Sequence, residues 1–283
     1  MNNIMIKPCV TISLVRSLGP RSLSGGPWIY WDELEVSIPK ARAAGFDAVE
    51  LFTSSADAVD TDILSGLLDK YGVKLAAVGT GAGKVLHQLH LASPDKGIRR
   101  KARGFISSMI EFGGRFGAPA IIGSMQGFVE TGVERVQSLG WLAEGLSELG
   151  STAAAYGVNL IFEPLNRYET NLINRLADGV ELIKSVKCKN ILLLADLFHM
   201  NIEEESIAAC LRKFGDYIGY VHFVDSNRRA AGMGHIDLAE VARALSEIGY
   251  DGYVSAEALP YPDSDKAAAQ TIAAFKKFLT ERC

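Results

Sequence analysis

The segment "NLIFEPLNRYETNLIN", Asn159 to Asn174, ends an apolar run on a carboxylate and then fills with hydrogen-bonding side chains. Leu160, Ile161 and Phe162 read as a buried strand. Glu163, fixed by Pro164, closes it, and Glu169 follows six residues later. Three further apolar runs end in the same manner: "ILLLADLFHMN" on Asp196, "GYVHFVDSN" near His222 and "GYVSAEALP" on Glu257. Taken singly, an Asp after a strand is a common cap or turn former, and a lone His is commonly a hydrogen-bonded core residue. Together they make a different chemistry. Three carboxylates in one place repel and raise one another's pKa, and a bound divalent cation removes that conflict. Three carboxylates and one imidazole suit a hard or intermediate ion, Mn2+ or Mg2+, and also admit Co2+ or Zn2+.

These groups act together only if the chain brings its strand ends to one place. Short apolar runs recur at Cys9–Leu14, Ala48–Phe52, Lys74–Val78, Ala120–Gly123, Leu160–Glu163, Ile191–Asp196, Tyr220–Val224 and Tyr253–Glu257. Their length suits strands buried on both faces. Helical patterning fills the intervals. "SIPKARAAG" offers Ser37 as a cap, Pro39 in the first turn and Gly45 as a stop. "NIEEES" and "DLAE" set Asn201 ahead of Glu204 and Asp237 ahead of Glu240 at capping-box spacing. Eight strand–helix alternations without a low-complexity linker predict an α/β fold, one (β/α)8 barrel over residues 1–283. A doubly wound open sheet is the alternative, but no Gly-rich dinucleotide fingerprint follows an early strand. "GTGAGK", Gly79 to Lys84, lacks phosphate-loop spacing and reads as a flexible loop after the third strand. In a barrel the C-terminal strand ends share one face, where barrel enzymes place their chemistry.

Composition narrows the classes. A net charge of −4 gives no field that favours nucleic acid or an anionic membrane surface. No apolar run approaches the ~20 residues that span a bilayer. "MNNIMIKPCVTISLV" has neither a positive start nor a small-residue cleavage site, so no signal peptide is expected. Cys9, Cys188, Cys210 and Cys283 are scattered, which suits reduced thiols in a cytoplasmic protein. Trp28, Tyr30 and Trp31 either cover a sugar face or pack at the barrel rim. His87 and His90 have no carboxylate cluster beside them, and His235 either shapes a loop or reaches the pocket mouth.

The segments "EPLNRYETNLIN", "DLFHMNIEE", "VHFVDSNR" with "GMGHID", and "GYDGYVSAEAL" resemble the ketose 3-epimerases of the tagatose and psicose type, within the xylose-isomerase-like TIM barrels. The resemblance is strongest from Asn159 to Pro260. The first half matches mainly in its alternation and in "SPDKGIRRKA". It implies one divalent metal, Mn2+ before Mg2+, Co2+ or Zn2+, held by Glu163, Asp196, His222 and Glu257. It also implies substrate contacts from Glu169, His199 and Arg228, a homo-oligomer, and a small sugar or sugar-acid substrate. Glu163 and Glu257 would exchange a proton beside the C2 carbonyl, on opposite faces, through an ene-diolate whose charge needs an electrophile in place. Phe223 to Asp225 depart from the family pattern, and no phosphate cradle is visible, which favours an unphosphorylated substrate. A lyase of the inosose-dehydratase kind shares the ene-diolate. A barrel that binds metal and sugar without turnover would not need two opposed bases. A zinc apurinic endonuclease, with its three-metal cluster, needs more histidines than the five in this chain.

Overall fold

The computed structural model describes residues 6–15, 17–18, 21–22, 26–186 and 188–280. Met1 to Met5, part of the stretch read for a signal peptide, and Cys283 lie outside them. Among the described residues, eight strands close a parallel barrel: β1 Lys7–Ser13, β2 Ala48–Phe52, β3 Lys74–Gly79, β4 Ala120–Ile122, β5 Leu160–Phe162, β6 Ile191–Asp196, β7 Ile218–His222 and β8 Tyr253–Ala256. Each pairs with its sequence neighbours, and β8 returns to β1 with Lys7 opposite Tyr253 and Val10 opposite Ala256. The helices are α1 Leu34–Ala44, α2 Thr61–Tyr71, α3 Ala82–His87, α4 Lys96–Gly114, α5 Arg135–Ala155, α6 Leu176–Ser185, α7 Leu197–Glu203, α8 Ile207–Phe214, α9 Leu238–Glu247 and α10 Ser264–Phe275.

The two-residue period of a strand decides what enters the barrel. Cys9, Ala48, Ile121, Ile161, Leu194 and Tyr220 belong to one buried cluster inside the sheet. Their neighbours Val10, Val49, Ile122, Leu160, Leu193 and Val221 belong to the larger core between sheet and helices. Two residues beyond Ala48, Ile161, Leu194 and Tyr220 stand Glu50, Glu163, Asp196 and His222. The same phase that buries the lower apolar layer therefore aims a polar layer at the C-terminal mouth.

Local details differ from the sequence pattern at several ends. α1 begins at Leu34, so Ser37 is an interior residue whose Oγ donates to the Asp32 carbonyl at 2.9 Å. The Val36 and Ser37 N–H groups already close on the Glu33 carbonyl, one turn before the expected cap. Gly45 does end α1, with φ 108°. Asn201 lies within α7, because Asp196 starts that helix directly at the strand end. Ser206 instead caps α8, accepting from Ala209 N at 3.3 Å. Asp237 caps α9, accepting from Glu240 N at 3.0 Å. The Gly79 to Lys84 stretch is a turn into α3, pinned where buried Thr80 donates to the Ile121 carbonyl at 2.7 Å.

Candidate active site

Glu163 follows β5, Asp196 and His222 end β6 and β7, and Glu257 follows β8. One ligating atom from each of the four lies within 4.8 Å of all the others. His222 Nδ1 is the hub: 3.0 Å from Asp196 Oδ2 and 3.6 Å from both Glu163 Oε1 and Glu257 Oε2. Glu163 is placed by two neighbours. Gln126 Nε2 donates to its carbonyl at 3.0 Å. Gly123 leaves open the space its carboxylate enters, since a Cβ there would fall inside contact with Glu163 Oε2. Asp196 has two tasks, one per oxygen. Its Oδ1 accepts from His199 N at 3.0 Å and so caps α7, while Oδ2 faces His222.

The predicted substrate contacts stand around this cluster. The Asn166 backbone N–H donates to His199 Nδ1 at 3.3 Å, and Asn166 Nδ2 lies 2.7 Å from the same atom. Nδ1 is therefore an acceptor, and the ring proton sits on Nε2. That nitrogen is buried, has no hydrogen-bond partner and lies 3.8 Å from Glu163 Oε1, which has none either. Arg228 bridges two carboxylates, 3.0 Å from Glu169 Oε1 and 3.0 Å from Glu257 Oε2. Its backbone takes φ 58°, held by a loop that Asp225 stitches through Ser226, Gly232 and Ile236 N–H groups. Asp225 thus anchors the loop that carries the arginine.

Electrostatics follow from this crowding. Burial pushes Glu257 up to about 8, and the Glu163 and Asp196 charges add to it against His222 and Arg228. Burial also works to raise Asp196, but His199, His222 and Arg228 outweigh it and hold the carboxyl well below the usual range. Burial works against a charged His222, yet Glu50, Glu257, Asp196 and Glu163 raise its pKa well above the ordinary value. A protonated His222 supplies the positive charge that the carboxylates call for. A divalent cation answers the same demand with twice the charge. The orphaned Glu163 Oε1 and the oxygen-dominated donor set both fit one.

The cluster opens into a cavity of about 220 Å³ whose apolar wall includes Trp28, Phe52, Val85 and Leu165. Trp28 stacks on Phe52 at 4.3 Å between ring centroids. Tyr30 is core, and Trp31 Nε1 donates to the Trp28 carbonyl at 2.7 Å, so Trp31 supports the aromatic that lines the pocket. His87 is exposed. His90 is buried beside Glu130, and neither it nor His235 lines the cavity. Residue reasoning missed Asn166, Gln126, Gly123 and Glu50. The only sequence signal for Glu50 is a carboxylate inside a wholly apolar strand, "AVELF".

The chain belongs to the xylose isomerase-like TIM barrel family, whose model matches residues 38–278, and within it to the ketose 3-epimerases. It is 30% identical over 242 residues to a D-psicose 3-epimerase of Ruminiclostridium cellulolyticum, covering 81% of each chain. It is 32% identical over 232 residues to an L-ribulose 3-epimerase of Mesorhizobium japonicum, covering 80% of this chain and 75% of that one. A solved L-ribulose 3-epimerase superposes with a TM-score of 0.81 at 26% identity, over 98% of this chain and 95% of the other. The protein is an enzyme of the sugar isomerase and epimerase class. Among the described residues, no helix is long and apolar enough to cross a membrane.

Proposed function

We propose that this enzyme is a divalent-metal-dependent 3-epimerase of an unphosphorylated ketose. The observation that carries the reading is the meeting of Glu163, Asp196, His222 Nδ1 and Glu257 within 4.8 Å, beneath the Arg228–Glu169 pair. These four residues would hold one cation, Mn2+ before Mg2+, Co2+ or Zn2+, because carboxylate oxygens predominate. A cation held there would supply Lewis-acid polarisation of a substrate carbonyl and positive charge against developing oxyanion charge.

The remaining work belongs to the chain. Glu163 and Glu257, from strands on either side of β6 and β7, act as the two bases at C3. One removes the proton and the other returns it on the opposite face of the flattened ene-diolate. His199 donates its Nε2 proton to a substrate oxygen, and Asn166 keeps that proton where it is needed. Arg228 binds the C2 oxygen region while Glu169 accepts from a hydroxyl. A free sugar is favoured because the cavity lining holds one guanidinium, already shared between two carboxylates.

The test is removal of metal with a chelator, followed by assay on D-psicose and L-ribulose with Mn2+, Mg2+ or Co2+ restored. Activity should vanish and return. Full turnover in rigorously stripped protein would overturn the reading, and a product lacking a hydroxyl would assign the chain to the lyases instead.

A further inference from the structure

Glu50 is a carboxylate inside the barrel, on a strand whose five residues are all buried. A carboxylate in such a place costs several kcal/mol unless its charge and lone pairs are met. Among the described residues, its ion-pair partner is His222, whose Nε2 lies 3.4 Å from Glu50 Oε2. Tyr220, two residues before His222 on the same inward face, donates its hydroxyl to that oxygen at 3.0 Å. The other imidazole nitrogen, Nδ1, is the one turned to Asp196, Glu163 and Glu257. His222 Nε2 is buried and has no hydrogen-bond partner; its 3.4 Å approach to Glu50 Oε2 is an ion-pair contact just outside hydrogen-bond geometry. An imidazole that ligates through one nitrogen must carry its proton on the other, and that proton needs an acceptor. Glu50 is the acceptor within reach.

We propose that Glu50 is the positioning residue of the metal centre: its carboxylate is placed to accept a hydrogen bond from the Nε2–H of His222 and thereby presents Nδ1 to the three carboxylate ligands. Tyr220 fixes Glu50 from below, so the imidazole is oriented from β2, across the barrel from its own strand. This rests on the metal-dependent reading above, and it extends that reading to a residue outside the four-ligand set, at the floor of the same cavity.

Glu50→Gln keeps the volume and one acceptor oxygen, whereas Glu50→Leu removes every acceptor. Zn2+ binding to each folded variant is measured by calorimetry, beside 15N-correlated spectra of the His222 ring in Zn2+-loaded protein. Glu50→Leu should bind Zn2+ ~10–100-fold more weakly, as for other partners of ligating histidines, with Glu50→Gln retaining more of the affinity. A folded Glu50→Leu protein that binds within twofold of wild type overturns the proposal. If the Leu variant does not fold, the ring spectra decide. The Nε2 proton should be far downfield and slow to exchange in wild type, and should move upfield in Glu50→Gln; identical signals overturn the proposal. A wild type that takes up no metal overturns the underlying reading, which separates the two failures.

Discussion

Arg228 reaches Glu257 and not Glu163: its guanidinium stands 3.0 Å from Glu257 Oε2, while its other arm holds Glu169 at 3.0 Å. The two proposed bases therefore differ in environment, Glu257 held by a guanidinium and Glu163 lying 3.8 Å from the His199 imidazole. Arg228→Ala should retain metal at saturating concentration and lose ~10–100-fold in kcat/KM, the scale of a charge-assisted hydrogen bond. Lys should not rescue it, since the planar fork serves two carboxylates at once. Elemental analysis beside kinetics checks this; loss of metal would make Arg228 a support of the metal centre instead.

Gly123 gives a second test. A methyl group there meets the far end of the Glu163 side chain, not backbone, so the carboxylate must swing aside while the barrel persists. Gly123→Ala should fold with a melting temperature near that of wild type. It should lose ~10²-fold in turnover, as expected for a misplaced reacting group. A variant of unchanged activity would show that Glu163 need not occupy its observed position.

A pH test lies away from the metal cluster. His90 is buried, stacked on Phe128 at 5.1 Å, with Glu130 3.4 Å from Nε2. Burial, with the Lys84 charge, lowers its pKa to about 4. The unfolded chain takes up this proton near the ordinary value of ~6.5, while the folded chain refuses it until about 4. The stability that His90 contributes is thus complete above ~6.5 and is lost as pH falls toward ~4. His90→Phe keeps the stack and removes the titration. Urea unfolding should show wild type losing stability relative to His90→Phe between neutral pH and the acid end. A constant difference across that range would contradict the assignment.

The strand ends were legible because buried parallel strands read as unbroken apolar runs, and a carboxylate at the close of one is conspicuous. The seventh strand shows the limit. Its apolar run points to Tyr220–Val224, while the strand is Ile218–His222. Phe223 and Val224 are buried beyond it as a loop anchor, and Val224 bridges back to Ala230. Apolar continuity reports burial, not hydrogen-bond pairing. Glu169, His199 and Arg228 came from resemblance alone, since their convergence depends on loop conformations such as the positive φ of Arg228. Asn166 and Gln126 were hidden for the same reason: side chain to backbone bonds across loops leave no periodic trace. Glu50 was visible by type, and only the inward phase of β2 against Tyr220 and His222 gives it meaning.

In the proposed reaction two opposed bases exchange the proton at C3. Metal-loaded wild type and Glu257→Gln are incubated with D-psicose in deuterated water, and deuterium is located by NMR. Wild type should place deuterium at C3 as the epimer forms. Glu257→Gln should lose epimerisation by at least ~10²-fold, while any remaining exchange at C3 proceeds without inversion. Metal-replete Glu257→Gln turning over at the wild-type rate, or wild type forming product with deuterium at C1 and none at C3, would contradict the account.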